Sequence, residues 1–423
     1  MIDRTRPPAY HPIEQIHILE AENLTLANQL PLKVIKAGEQ EVVSVEWIFQ
    51  AGSRYDLNPG QSFATVKMLG QGTTQLNALQ INEQIDAYGA FIDFYTGFDR
   101  VGIRVYTLNK YLREVLILVK TLILEASFPE EELDLLKKRT IQQIQVNNEK
   151  NAYVAARRYR ELIFGAHPYG RNLVEEDLAS LERNDITPFF KRYIHFGNCD
   201  IIIAGKVEDT TIKTLEEIFG EELAKHIQTE ESPRDIRTQF KKELIEKSES
   251  LQSSIRIGKV MPPKHHPDYF KILVTNELLG GYFGSRLMQN IREEKGYTYG
   301  IRAQVTYLAE QGFFVIGTDV NKEYTQNTID EIYKEIERLQ TEPVGKEELE
   351  RVQNYMAGSF AGEFTTPFAQ ADMFKAIYYY NLDYKFYHQY IAQVRKITAE
   401  DVMNTAQKYL DTATMVEVIV GGK

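Results

Sequence analysis

The feature of this 423-residue chain that most constrains its fold is that its second half repeats its first. Identical residues recur at a single spacing of 216 positions: Asp185 and Asp401, Glu132 and Glu348, Tyr193 and Tyr409, and Gly205 and Gly421. One spacing shared by four separate places indicates a duplicated domain rather than chance similarity. We therefore expect the chain to fold as two related units.

Strand and helix patterns follow one another in the same order in each half. Residues 89–108 alternate in polarity over two runs, which predicts a pair of antiparallel strands. Residues 130–151 have helical periodicity and an acidic first turn, which suits the helix dipole. Residues 299–320 and the stretch from Gly345 repeat these two patterns. We predict an α+β fold of two homologous halves, each a mostly antiparallel sheet covered by helices.

A charged segment with few apolar residues separates the halves. Residues 229–249 contain one proline and little that could enter a core, as is typical of an exposed linker. The predicted domains are therefore an N-terminal domain at 1–228 and a C-terminal domain at 250–423.

Charge and cysteine content exclude several classes of function. Lys and Arg total 49 against 60 Asp and Glu, and the net charge of −11 argues against nucleic acid or an anionic membrane as the main partner. The single cysteine, Cys199, can form neither an internal disulfide nor a cysteine-based zinc site. No apolar run has the length of a signal peptide or of a membrane-spanning helix, so we expect a cytoplasmic location.

The stretch "NIREEKGYTYG" at 290–300 carries the strongest chemical signal. A helix is predicted to end at Gly296 and a strand to begin just after it, which would bring Arg292 and Tyr299 side by side. Their N–H and O–H donors suit a peptide carbonyl or a developing oxyanion. The alternative is structural, because Tyr299 shares strand parity with Ile301 and could be a core residue, while Arg292 could be one of several surface charges.

Residues 278–303, "LLGGYFGSRLMQNIREEKGYTYGIRA", resemble the second-domain signature of the M16 metallopeptidases, the family of insulysin, pitrilysin and mitochondrial processing peptidase. Further similarity at 50–61, 167–173 and 192–205 extends the resemblance over essentially the whole chain. The resemblance implies the LuxS/MPP-like metallohydrolase fold. It also implies that Arg292 and Tyr299, which have the family's seven-residue spacing, contact substrate.

The zinc-binding half of the family pattern is missing. Active members carry H-x-x-E-H where this chain has "FATVK" at 63–67, so Phe63 and Lys67 replace two histidine ligands and Val66 replaces the glutamate base. The third ligand, a glutamate in the family, falls at or beside Gln143. Phe and Val cannot ligate zinc and an ammonium repels it, so we expect no cofactor in this chain.

The resemblance therefore implies the zinc-free subunit of a heterodimeric peptidase. This chain would be inactive alone, and a partner subunit bearing H-x-x-E-H would supply the zinc while Arg292 and Tyr299 hold a peptide substrate. Two alternatives stay open: a non-enzymatic scaffold that binds other proteins, and a peptidase with a different metal site. The sequence also leaves open whether the isolated chain forms a homodimer.

Overall fold

The computed structural model describes residues 13–221 and 235–422, which contain two β-sheets. The strands of the first sheet are β1 (Glu22–Thr25), β2 (Pro31–Lys36), β3 (Val42–Phe49), β4 (Phe91–Thr96), β5 (Val101–Leu108) and β6 (Cys199–Gly205). Those of the second are β7 (Lys242–Glu246), β8 (Gln252–Met261), β9 (Thr298–Tyr307), β10 (Gly312–Asn321) and β11 (Val416–Gly421). Each sheet draws its strands from one half of the sequence.

The two sheets have the same topology. Their strand orders are β1-β2-β6-β3-β5-β4 and β7-β11-β8-β10-β9, which coincide once the additional β1 is set aside. Each contains one parallel pair, β2 with β6 and β7 with β11, and all other pairs are antiparallel. The predicted α+β fold of two homologous, mostly antiparallel halves is confirmed.

Helices cover the sheets. They are α1 (Gln61–Met68), α2 (Ala78–Ala87), α3 (Leu112–Glu125), α4 (Glu130–Asn148), α5 (Asn151–Phe164), α6 (Glu175–Ser180), α7 (Arg183–Tyr193), α8 (Asp209–Phe219), α9 (Tyr269–Asn276), α10 (Thr325–Thr341), α11 (Lys346–Gly362), α12 (Pro367–Tyr378), α13 (Tyr384–His388), α14 (Tyr390–Lys396) and α15 (Ala399–Tyr409). Two segments, Glu277–Gly281 and Met288–Glu294, are wider π-helices. In the described part of the chain, no helix combines the length and apolarity needed to cross a membrane. The cytoplasmic location stays a prediction.

The repeated residues have repeated structural roles. Asp185 and Asp401 lie in the first turns of α7 and α15, where their carboxylates accept the backbone N–H of Glu182 at 2.9 Å and of Thr398 at 3.1 Å. Each carboxylate thereby satisfies a backbone donor at the start of its helix. The repeat at 216 positions therefore preserves the same helix start in both halves.

The repeated glycines end equivalent strands. Gly205 and Gly421 have φ of +127° and +141°, in a region that favours glycine. A Cβ atom would lie 2.4 Å from the carbonyl oxygen of Val42 at Gly205 and 2.5 Å from that of Gln252 at Gly421. Only glycine lets β6 and β11 lie this close to β3 and β8.

The halves exchange helices. From α5, Ala155 and Tyr159 pack against Val416 and Val418 of the second sheet. From α12, Ala371 and Phe374 pack in turn against the first sheet, in a cluster that includes Ile35, Ile48 and Ile202. Each sheet is thus completed by a helix from the other half.

The linker predicted at 229–249 needs correction in its second part. Residues 229–234 lie outside the described residues, and 235–241 have no regular secondary structure. Lys242–Glu246 form β7, which pairs with β11 at the edge of the second sheet. The second half therefore begins its regular structure before residue 250, because the alternating segment "KELIE" supplies an edge strand despite its charges.

Candidate active site

The helix that carries Arg292 is anchored to its neighbours by buried polar contacts. Asn290 donates to Glu335 of α10 at 2.7 Å, and Glu335 is 1% exposed. Arg286 forms two bonds of 2.8 and 2.9 Å with Glu348 of α11. These contacts fix the helix on α10 and α11, so the position of Arg292 is set by the fold rather than by a mobile loop.

The turn after this helix has the predicted glycine. Gly296 has φ of +67°, and the N–H of Tyr297 donates to the carbonyl of Ile291 at 3.0 Å, which closes the helix end. The apolar residues Leu287, Met288 and Ile291 of this helix are buried. The hydroxyl of Ser285, just before the helix, is buried and has no hydrogen-bond partner within the described part of the chain.

A β-bulge follows the turn and determines where Tyr299 lies. Ile301 pairs with Thr318, but the next pair joins Thr298 to Val320, so β9 has one residue more than β10 in this interval. The hydroxyl of Thr298 accepts the N–H of Gly300 at 3.1 Å and donates to the carbonyl of Asp319 at 2.8 Å. An extra residue breaks the alternation of side chains between the faces of a sheet.

Tyr299 is consequently not a core residue. It is 94% exposed, whereas Ile301 is 3% exposed. The guanidinium carbon of Arg292 lies 6.0 Å from the centre of the Tyr299 ring and 4.6 Å from that of Phe283, which is itself 66% exposed. Arg292 also forms an ion pair with Glu293. The guanidinium of Arg292 and the ring of Tyr299 therefore lie next to each other at the surface.

The positions that the resemblance matches to the zinc motif lie in the first half, and their side chains pack or hydrogen-bond there or face solvent. Val66 is 1% exposed in the core of the first sheet, and Phe63 packs against that core. The ammonium of Lys67 donates to the carbonyl of Phe94 on β4. Gln143 is exposed on α4. Zinc does not fit this donor set: two side chains are apolar, one is cationic, and the fourth is a neutral amide.

Potential metal ligands are also dispersed elsewhere. Within 13–221 and 235–422, no three residues among His, Cys, Asp and Glu lie together as a metal site requires. The thiol of Cys199 is buried, and burial raises its pKa well above the ordinary value, so it has little tendency to form the thiolate that binds metals.

Sequence reasoning missed the surroundings of the pair. Phe283, Tyr282 and Tyr355 line a groove of about 380 Å³ that also contains Gly300 and Arg302. Tyr282 and Tyr355 stack with ring centres 4.8 Å apart. The segment "GGYFG" at 280–284 could have indicated this groove, because consecutive aromatic residues among glycines are seldom needed for a core.

Comparison with known families identifies the class of protein. The family described as "Insulinase (Peptidase family M16)" matches residues 34–177, and "Peptidase M16 inactive domain" matches residues 180–356. Together the two matches cover more than half of the chain. The chain belongs to the M16 peptidase family.

Individual relatives are distant in sequence but similar over most of the chain. An "uncharacterized zinc protease" of Bacillus subtilis is 25% identical over 319 residues, covering 74% of this chain and 76% of the relative. A Helicobacter pylori protein named as a non-peptidase homolog is 20% identical, covering 88% and 87%. A crystal structure titled peptidase M16 inactive domain, from Pseudomonas fluorescens, has a TM-score of 0.86 at 21% identity and covers 96% and 98%.

Proposed function

We propose that this chain is the zinc-free subunit of a two-subunit M16 peptidase, and that it supplies Arg292 and Tyr299 to a peptide held between the subunits. The observation that carries the proposal is the exposure of Tyr299, 94%, beside Arg292. Because the bulge leaves Tyr299 exposed, its side chain buries little surface and contributes little to the stability of the fold. Bulges commonly redirect a side chain at a functional site.

The two side chains offer different kinds of donor. The Tyr299 hydroxyl can donate one hydrogen bond to the scissile carbonyl oxygen as negative charge develops on it. The Arg292 guanidinium has five N–H donors, so it can bind a neighbouring backbone carbonyl or the same oxygen while still contacting Glu293. Donors placed in advance where charge develops act mainly on the transition state. Zinc and its ligands would belong to the partner.

The test is a peptide-cleavage assay in which this chain is mixed with an M16 subunit that carries H-x-x-E-H. We expect neither subunit to cleave alone, and we expect Tyr299→Phe to lower kcat of the mixture by about 10²–10³. Tyr111→Phe, in the first half, is a matched control that should change nothing. Full turnover with Tyr299→Phe would contradict the proposed role, and stoichiometric zinc in the isolated chain would contradict the zinc-free assignment.

A non-enzymatic scaffold is the second candidate, favoured by the name of the Helicobacter pylori relative as a non-peptidase homolog. A scaffold needs no donor pair at its surface, so Arg292→Ala and Tyr299→Phe should leave its binding partners unchanged. Light scattering of the purified chain, alone and with each zinc-bearing candidate, separates the two functions. An inert homodimer that ignores every candidate would favour the scaffold.

A further inference from the structure

A second cavity opens from the groove beside the Arg292–Tyr299 pair. Gly281, Arg302 and Tyr355 line both the groove and this cavity, which has a volume of about 330 Å³. Phe283, which also lines the groove, lies against Arg292, so the groove adjoins both the donor pair and the cavity. A peptide lying along the groove would pass the mouth of the cavity.

Aromatic rings form the walls of this cavity, which we call the aromatic side pocket: Tyr269, Phe360, Phe386, Tyr387 and Tyr390, with Lys264. The walls are mutually packed. Phe360 stacks on Tyr390 with ring centres 4.0 Å apart, and Tyr269 meets Phe386 at 5.1 Å. Rings held by other rings keep their positions without a ligand, so the pocket is formed in advance.

The charged groups of the pocket balance one another. Lys264 is 8% exposed, donates to the carbonyl of Ala376, and lies 5.0 Å from the Tyr380 ring and 5.6 Å from the Phe386 ring. Arg302 is the second cation, and Glu277 and Glu363 are the two carboxylates of the lining. With the cation of Lys264 already held by a carbonyl and two rings, the pocket offers no unbalanced charge to attract an acidic or a basic side chain.

We propose that the aromatic side pocket binds one neutral aromatic side chain of the peptide that lies against Arg292 and Tyr299. This inference rests on the proposed function, and it adds the class of peptide that the chain selects. A volume of about 330 Å³ is at the lower end for ligand sites, which suits one ring better than a cofactor. Aromatic walls favour a ring through edge and offset contacts in addition to burial.

Ser359 offers a way to fill the pocket without changing any of its aromatic rings. It is exposed on α11 and lines the pocket, so Ser359→Trp would place a ring where the ligand ring is expected. Asn354→Trp is the matched control, because Asn354 is exposed on the same helix and does not line the pocket. If Ser359→Trp melts below the parent protein, Ser359→Met fills the same space with a smaller side chain.

The experiment measures binding of fluorescein-labelled, end-blocked octapeptides to the full chain alone. One phenylalanine is moved through each position of an Ala/Ser/Gly peptide. We expect phenylalanine at one position to tighten Kd by about tenfold or more over alanine, as burial of a ring predicts. We expect Ser359→Trp to abolish this gain and Asn354→Trp to keep it. No gain at any position, an equal gain in Ser359→Trp, or a greater gain with glutamate would overturn the inference.

The pocket and the proposed function can fail separately. If phenylalanine selectivity persists in binding while Tyr299→Phe leaves cleavage by the mixed subunits unchanged, the peptidase role is wrong and the pocket stands. If Tyr299→Phe abolishes cleavage while Ser359→Trp leaves phenylalanine selectivity intact, the pocket is wrong and the peptidase role stands.

Discussion

Thr298 is the residue that holds Tyr299 in its exposed position. Its hydroxyl satisfies the backbone of the bulge at both Gly300 and Asp319. We predict that Thr298→Val, which keeps the shape but loses both bonds, lowers kcat of the mixed subunits roughly 10- to 100-fold, because small misplacements of a catalytic group are costly. Thr298→Ser should retain near-normal kcat. Equal kcat for the Val and Ser variants would show that the bulge does not depend on this hydroxyl.

A second prediction at the scale of one residue concerns Val66. The sequence resemblance matches it to the glutamate of active M16 members, and it is 1% exposed in a packed core. Val66→Glu would bury an unpaired carboxylate, so we expect the free energy of unfolding in urea to fall by about 3 kcal/mol or more. Leu135→Glu, at an exposed site on α4, is the control and should have little effect. A neutral outcome for Val66→Glu would mean that this site still tolerates a catalytic carboxylate.

The sequence predicted which residues form the candidate site but not how they are presented. The positions of Arg292, Gly296 and Tyr299 follow from a helix end and a strand start, which are local signals. The exposure of Tyr299 could not be predicted from such local signals, because strict alternation with Ile301 would place Tyr299 in the core. The additional residue in β9 is visible only once Thr298 is paired with Val320, and pairing is a long-range property.

At the scale of elements, the exchanged helix α5 is attached to the second sheet by an ion pair. Arg158 donates to both carboxylate oxygens of Glu243 on β7, at 2.7 and 2.9 Å. Hydrogen bonds from Arg158 lower the pKa of Glu243 to about 2, below its ordinary value of 4.5. Because the folded-state pKa is the lower one, the stabilisation is complete above pH 4.5 and is lost as the pH falls toward 2.

Glu243→Gln should therefore destabilise the protein in a pH-dependent way. We expect the free energy of unfolding in urea to fall by about 1–3 kcal/mol at pH 7, the usual range for hydrogen bonds to charged groups. The difference between the variant and the parent should shrink at pH 3.5. Glu246→Gln, at an exposed position on the same strand, is the control. A difference that is the same at pH 7 and pH 3.5 would contradict the assignment of the ion pair.

The sequence could not predict that α5 and α12 each pack against the sheet of the other half. An amphipathic pattern shows that a helix buries one face, but not which sheet it buries that face against. Ala155 and Ala371 are 216 positions apart and both are buried, so the repeat marks them as equivalent. The two alanines would be equivalent whether each helix packed on the sheet of its own half or on the sheet of the other half. Only the contacts with Val416 and Ile202 decide between these arrangements.

At the scale of the whole molecule, polar contacts add to the exchanged helices in joining the halves. Arg54 forms ion pairs of 3.0 Å with Asp99 of the first half and with Glu310 of the second. Glu310 also contacts His167 at 3.0 Å, and the N–H of Ala309 donates to Asp99 at 3.0 Å. Since the Arg54 side chain is only 8% exposed, removing one member would leave buried charge without its partner. The interface between the halves is therefore built like a protein interior rather than like a transient contact.

From this interface we predict that neither half folds alone. Residues 1–228 expressed separately would expose the face of the first sheet that α12 covers, and residues 229–423 the face that α5 covers. We expect each fragment to aggregate or to melt without a cooperative transition, and the co-expressed pair to form a 1:1 complex with the far-UV circular dichroism of the intact chain.

Variants of the second fragment test whether α12 causes this dependence. Phe374→Ala removes a ring that is buried against the first sheet, and should weaken the 1:1 complex in sedimentation and size-exclusion measurements. Lys385→Ala, at a side chain that is 83% exposed, should not. A fragment that is a cooperatively folded monomer would contradict this prediction, because its sheet would then complete its core from its own half. The exchanged helices would in that case be a contact between two independently folded domains.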